Sequence, residues 1–452
     1  MKDLTQGSVS GHLLQMAAFL AAGMIVQTLY LLVDLYFVAG LGKEAIAGVS
    51  AARNAMFIVF ALTQVLGVGT VTLISHAAGR KDQADANLVF NQSVLLSAIC
   101  TVLVLLVGYA ASDSYVRMIS ADATTAAAGT TFLHWYLPGL ALQFAMVAVG
   151  SALRGTGIVK PTMLVQSLTV MLNIVLAPVL IAGWGTGRPL GVLGAALASS
   201  LSIGVGVLFL ILYFTRLEKY VSFNPAQWGP HFATCRRMVN IGLPAGGEFM
   251  LMFVIVAVIY GAIRQFGAYA QAGIGIGLSV SQSIFLPAMA VAFAVSPIAG
   301  QNFGAKLGDR VRATFRSAAL IGTIIMAGLT LLCQLRPDLL IRGFSSDPRV
   351  IDVGATYLRI TSWNYVGNGI IFTCSGMFQA LGNTWPALVS SAGRILTFVL
   401  PALWLANQPW VKIEHFWYLS VATITLQAIL SFLLLRDQMR RRLAFAAPGS
   451  AA

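Results

Sequence analysis

Asp34 is the one charged residue in an apolar run from about Leu13 to Gly40. At about 1.5 Å per residue, a helix of that length crosses a bilayer. Gln27, Tyr30 and Asp34 stand at i, i+3 and i+7, so a helix puts them on one face. A lone carboxylate in such a helix is costly; it normally faces a polar interior and marks an ion or substrate path. The bland alternative is an aspartate that caps or hydrogen-bonds a neighbouring helix, a task a neutral asparagine does at lower cost. The second candidate is Glu248, in Gly242-Leu-Pro244-Ala-Gly-Gly-Glu248. The proline frees backbone carbonyls and bends a helix, and the glycines let another element approach closely. Such an opening suits a buried protonatable carboxyl or a cation ligand; otherwise Glu248 is merely solvated at a helix mouth.

Other polar residues in apolar runs are Gln143, Asn173, Ser199, Gln282, Asn364 and Asn368. They either line a cavity or tie helices together. Arg394 and Arg53 stand near helix ends, where snorkelling to the interface competes with a role inside. Several chemistries lack their residues. The four cysteines form no CxxC pair, and the five histidines are scattered singly, so neither a disulfide framework nor a metal site is signalled. Arg154-Gly-Thr-Gly157 is a glycine-rich turn with no GK[ST] after it. No nucleotide-binding domain is present, so transport would be driven by an ion gradient.

The elements that must position these residues are membrane helices. Of the 452 residues, 58% are hydrophobic and 10% charged; mean hydropathy is +0.82. Soluble domains carry about 25% charged residues. Twelve apolar segments run roughly over 13–40, 46–75, 88–111, 130–152, 160–183, 190–214, 239–264, 271–299, 313–334, 356–379, 386–406 and 414–436. The first is too long for a signal-peptide core and is expected to stay as a spanning helix. The net charge of +13 resides in loops, where Lys and Arg set orientation and meet lipid headgroups, so nucleic acid is not an expected partner. The richer basic set includes both ends of the chain, which predicts cytoplasmic termini, in agreement with an even number of spans.

An internal repeat orders the twelve segments. Asp113-Ser-Tyr-Val-Arg117-Met-Ile-Ser120-Ala-Asp122 matches Asp338-Leu-Leu-Ile-Arg342-Gly-Phe-Ser345-Ser-Asp347, 225 residues on. The same offset pairs Gly42 with Gly267, Gly48 with Gly273, Gly79 with Gly304, Gly129 with Gly354, Gly157 with Gly382, Pro161 with Pro386 and Gln143 with Asn368. The expected fold is therefore an all-α polytopic membrane protein of two six-helix bundles in like orientation. Its expected division is a lobe over 1–215, a cytoplasmic linker over 216–238, a second lobe over 239–436 and a tail over 437–452. The acids break the repeat: Glu248 pairs by offset with Gly23, and Asp34 with Ile259. Two copies specialised for different tasks would account for that.

Over essentially its whole length the chain resembles the MATE (multidrug and toxic compound extrusion) family. The resemblance is carried by Val33-Asp34-Leu-Tyr-Phe-Val-Ala-Gly40-Leu-Gly42, the Gly79 and Gly304 turns, Leu153-Arg-Gly-Thr-Gly157-Ile-Val-Lys-Pro161 and Gly194-Ala-Ala-Leu-Ala-Ser199. It implies two helical bundles that export cationic or amphiphilic compounds in exchange for H+ or Na+, with no other cofactor. It makes Asp34 the coupling carboxylate and possible sodium ligand, with Gln27, Tyr30, Asn173 and Ser199 around it. Where some members carry a fifth-helix aspartate this chain has Ala177, so their two-aspartate switch is not carried over. Glu248 resembles the seventh-helix glutamate of the NorM-like branch, one turn nearer the proline, with Met252 at the usual place and Asn368 where that branch has an aspartate.

The expectation is an inner-membrane antiporter working by alternating access, a monomer among membrane lipids, with small organic cations or amphiphilic drugs as partners. Glu248, Gln143, Gln282, Asn364 and Asn368 are its candidates for substrate binding or second-lobe coupling. Two rivals remain: a lipid-linked oligosaccharide flippase of the same superfamily, which would want a wide cationic groove, and an integral membrane enzyme, which would need clustered His, Asp or Glu.

Overall fold

A computed structural model describes residues 1–120 and 122–445; within it, the side chains of 30–35, 39, 43, 44, 51, 53 and 54 lie outside the described residues. Every regular element among the described residues is helical. The first half contains α1 (Val9–Ala39), α2 (Lys43–Gly79), α3 (Gln83–Ile119), α4 (Ala123–Gly155), α5 (Lys160–Ile181) and α6 (Val192–Arg216). The second contains α7 (Phe232–Ile263), α8 (Ala268–Gly304), α9 (Gly308–Leu335), the short α10 (Pro337–Arg342), α11 (Pro348–Thr361), α12 (Asn364–Ala380), α13 (Trp385–Arg394), α14 (Leu400–Ala406) and α15 (Ile413–Arg442). Eleven of the helical stretches are long and apolar enough to span a membrane. The tenth expected span, 356–379, is instead divided between α11 and α12 at Ser362-Trp363.

The repeat is physical. Gly48 of α2 and Gly129 of α4 meet so closely that a Cβ on Gly129 would lie 2.8 Å from Gly48 O; 225 residues on, a Cβ on Gly354 of α11 would lie 3.0 Å from Gly273 O of α8. Gly42 and Gly267, at φ 106° and 89°, and Gly157 and Gly382, at 80° and 70°, hold the same turns in each copy. An L side chain is strained there, which is why glycine recurs. Pro161 and Pro386 fall in the first turns of α5 and α13, where a missing N–H costs nothing. The repeated aspartates are helix caps: Asp122 Oδ1 accepts from the Thr125 N–H and Asp347 Oδ1 from the Arg349 N–H.

The copies differ at one bend. Where α4 continues through Pro138, the offset position is Trp363 and the helix breaks. The carbonyls it releases are taken by α9: Gln334 Nε2 donates to Arg359 O at 2.6 Å and Thr330 Oγ1 to Ser362 O at 3.0 Å. Between α13 and α14, residues Ile395–Val399 form a π-helical turn ahead of Pro401.

The chain forms two compact units. The first is Met1–Asp3 with Ala22–Gly246; the second is Leu4–Ala21 with the chain from Gly247 onward. The divisions fall inside α1 and α7, and the segment 216–238 stays whole within the first unit. Each unit has its own apolar core. Phe90, Phe132, Phe144 and Phe214 are buried in the first, and Tyr365, Phe398, Phe416 and Trp417 in the second.

Candidate functional site

The second unit encloses a cavity, with about 170 Å³ open to the centre of a water molecule. Its walls come from α7, α8, α11, α12, α13 and α15. Glu248 enters it from α7, one turn past Pro244. Oε2 accepts from Ser375 Oγ of α12 at 2.8 Å, and Oε1 from Ser391 Oγ of α13 at 3.5 Å. Ser391 Oγ in turn accepts from Gln427 Nε2 of α15 at 3.2 Å. This acid is thus half-buried and held by hydroxyls, not solvated at a helix mouth. Met252, one turn further along α7, lines the same cavity.

Arg394 faces the same space. The snorkelling alternative therefore does not hold: its Nη2 donates to Ser420 Oγ at 3.5 Å and its guanidinium lies 5.5 Å from the centre of the Phe398 ring. Asn364 Nδ2 reaches the same Ser420 Oγ at 3.2 Å. Phe249, Phe285, Phe293, Phe372, Tyr365 and Trp417 supply an aromatic lining. Aromatic walls with a few placed polar groups are the usual make-up of a small-molecule site.

Of the residues singled out in the sequence, the cavity brings together Glu248, Asn364 and Asn368. Gln282 is exposed on α8 and does not line it. Gln143 is half-buried on α4 in the first unit, so it shares a repeat position with Asn368 but not this cavity. In the first unit Asn173 Nδ2 of α5 donates to Ser199 Oγ of α6 at 3.3 Å, both buried, and Asn173 Oδ1 is buried without a partner among the described residues. Gln166 Nε2 of α5 donates to Gln27 Oε1 of α1 at 3.3 Å. The side chains of Tyr30 and Asp34, and that of Arg53, lie outside the described residues. Among the described residues no three His, Cys, Asp or Glu side chains stand together as a metal-binding group.

Sequence reasoning missed Ser375, Ser391, Ser420 and Gln427. The signals were faint but present: Ser391 and Arg394 are three apart on one helix, and Ser420 and Gln427 seven apart on another, spacings that share a face.

The MatE family model matches residues 20–179 and again 244–404, once in each half of the repeat. The chain belongs to the MatE family. That is a family of transporters and not of enzymes, which removes the membrane-enzyme rival. Among curated relatives, the multidrug export protein MepA of Staphylococcus haemolyticus is 26% identical over 406 residues, 88% of this chain and 87% of that one. MepA of Staphylococcus aureus is 27% identical over 425 residues, 92% of each. A crystal structure of a MATE protein in complex with MaL6 has a TM-score of 0.91 at 24% identity and covers 97% of this chain and 98% of that one. The fold is therefore that of a MATE transporter: a multi-pass, all-α membrane protein built from two related bundles.

Proposed function

We propose that this MatE chain exports organic cations or amphiphilic drugs from the cell in exchange for H+ or Na+ by alternating access. The observation that carries the reading is the second-unit cavity, in which a half-buried carboxylate, Glu248, sits among aromatic side chains. A carboxylate surrounded by aromatic faces attracts an organic cation through its charge, while the rings bury the cation's apolar body. The relatives called multidrug export proteins support the direction and the breadth of transport.

Asp34 is the proposed coupling residue, with Gln27, Tyr30, Asn173 and Ser199 as its surroundings. Asn173 Oδ1, unpartnered among the described residues, supports this, because a buried amide oxygen left without a donor is costly unless a proton carrier or cation completes it. Lobes over 1–215 and 239–436, cytoplasmic termini, an inner-membrane location and a monomeric state belong to the same proposal. The test is transport by proteoliposomes under a proton or sodium gradient imposed separately. Asp34→Asn is expected to abolish gradient-driven export of a cationic dye, and Glu248→Gln to weaken dye binding by roughly 10-fold or more. Export by Asp34→Asn at the parental rate would sink the coupling role.

A further inference from the structure

The repeat places one face of the fold twice, and only one copy is covered by the chain. In the first unit the stretch that follows α6 turns back over the start of α3. Phe223 of that stretch lies 5.1 Å from Phe90 of α3 and 5.8 Å from Phe214 of α6, ring centre to ring centre. Asn87 Oδ1 accepts from the Ser222 N–H at 2.8 Å. Asn91 Nδ2 donates to Ser222 O and Asn91 Oδ1 accepts from the Asn224 N–H, which leaves Asn91 buried. Asparagine suits this task because its amide offers a peptide backbone both a donor and an acceptor. In the second unit α9 begins 225 residues after α3, with Phe315 in place of Phe90 and Arg312 and Arg316 in place of Asn87 and Asn91. The chain leaving α15 starts on the same path: Phe445, the equivalent of Tyr220, lies 5.9 Å from Phe303. Yet Arg312 and Arg316 are exposed. A guanidinium has donors and no acceptor, so the face that binds a peptide in one copy suits an anion in the other.

We propose that the seam between α9 and α15 binds an anionic phospholipid, with its phosphate against Arg316 and Arg436. Phe315 meets Phe432 of α15 across the seam at 6.1 Å, and Arg436 follows Phe432 by one turn, at the end where α9 begins. Arg436 is exposed as well. Asp309 holds Arg312 at 2.9 Å and Asp437 holds Arg440 and Arg441, whereas among the described residues no carboxylate pairs with Arg316 or Arg436. Further into the span the same faces turn apolar. Leu320 and Ile324 follow Arg316 at i+4 and i+8, and Ile429 precedes Phe432 by three, all of them exposed. A free phosphate would use the arginines alone; a phospholipid uses the arginines for its headgroup and the apolar stripes for its acyl chains. The positive end of the α9 dipole adds to the attraction. This inference is independent of what the protein exports and of the ion that drives it.

The experiment titrates the purified full-length protein in detergent with phosphatidylglycerol and with phosphatidylcholine of identical acyl chains, and reads bound lipid by native mass spectrometry. The unmodified protein is expected to bind the first phosphatidylglycerol about 10-fold more tightly than the first phosphatidylcholine. Arg316→Gln combined with Arg436→Gln is expected to remove most of that preference and to leave phosphatidylcholine within about twofold. Arg316→Lys with Arg436→Lys should keep it, because a lysine still meets a phosphate as a point charge. Arg336→Gln with Arg342→Gln removes the same charge at the far end of α9 and should leave the preference intact. Equal binding of the two lipids by the unmodified protein overturns the site, a result that needs no variant to fold. So does an equal loss in the Arg336 and Arg342 pair, which would mean that overall charge and not this seam draws the lipid. Inorganic phosphate that displaces phosphatidylglycerol at equal concentration would also overturn it, since the acyl chains would then contribute nothing.

Discussion

Asp122 shows how a single carboxylate can hold a helix end with no partner of opposite charge among the described residues. Its oxygens accept from the Thr125 backbone N–H at 2.8 Å and from the Thr125 hydroxyl at 2.9 Å. Those donors stabilise the ionised form and hold its carboxyl below the ordinary value of 3.8. The sign follows from linkage: a pKa depressed on folding adds stability above the unfolded value, and that contribution disappears as pH falls through the folded one. Asp122→Ala should therefore lower the unfolding midpoint at neutral pH. The gap between parent and variant should close as pH drops below about 4. Thermal unfolding of the two proteins at pH 7 and at low pH is the check; a gap unchanged by pH would show that the cap does not depend on the charge. Glu248 is the contrasting residue, since among the described residues its hydrogen-bond donors are hydroxyls from two other helices. That difference explains what could be foreseen. A cap is local and its spacing is visible in the chain. The partners of Glu248 stand 127 and 143 residues away and no short pattern announces them.

At the scale of elements, α7 crosses α2 so closely that a side chain on either glycine of the crossing would meet backbone. Met238, Gly242 and Gly246 recur every four residues on α7, facing Gly69, Val65 and Ala61 on α2. Small residues at this spacing let two backbones approach within a membrane. A Cβ on Gly242 would collide with Val65 O, and one on Gly246 would stand 2.8 Å from Ala61 O. Gly242→Val should cost about 3 kcal/mol or more, because the obstacle is backbone that cannot swing aside. Gly261, also on α7, has nothing within 4 Å, so Gly261→Ala should instead add about 0.5–1 kcal/mol through the backbone entropy it removes. Monodispersity in detergent and the unfolding midpoint distinguish the two. A Gly242→Val protein as stable as the parent would mean that the helices are free to separate there. The glycines around Pro244 pointed to such a close approach in the sequence, and the recurring pairs pointed to its equivalents in each half. The break at Ser362 gave no such warning. Trp363 is no helix breaker, and the groups that satisfy the released carbonyls, Thr330 and Gln334, belong to another helix.

At the scale of the molecule, the segment between the halves is attached rather than loose. Asn91 of α3 donates to Ser222 O at 3.0 Å and accepts from the Asn224 N–H at 2.8 Å and from Trp228 Nε1 at 3.1 Å. Gln92 donates to Gln227 O at 2.7 Å and to Gly229 O at 2.9 Å, and accepts from the His231 N–H at 2.9 Å. Within the second unit, Leu4 is fastened in the same manner. There Gln301 Oε1 accepts from the Leu4 N–H at 3.0 Å, while Asn302 Nδ2 and Arg310 Nη2 donate to Leu4 O at 3.2 and 3.3 Å. Composition alone made 216–238 a polar linker, because Asn91 and Gln92 lie in α3 and the sequence does not say that they face it. Two side chains thus carry six of the hydrogen bonds that order this segment, each worth about 1 kcal/mol net. Replacing both, as Asn91→Ala with Gln92→Ala, should raise the population of the opened segment by 10-fold or more, at about 1.4 kcal/mol per tenfold. Trypsin reads that population directly at Lys219 when opening is fast relative to cleavage. Cleavage there should accelerate by roughly the same factor, while cleavage at Lys412, ahead of α15, stays at the parental rate. Equal rates at Lys219 in parent and variant would mean that the Asn91 and Gln92 bonds do not hold the segment down, and that its order comes from the packing of Tyr220 and Phe223 against the first core.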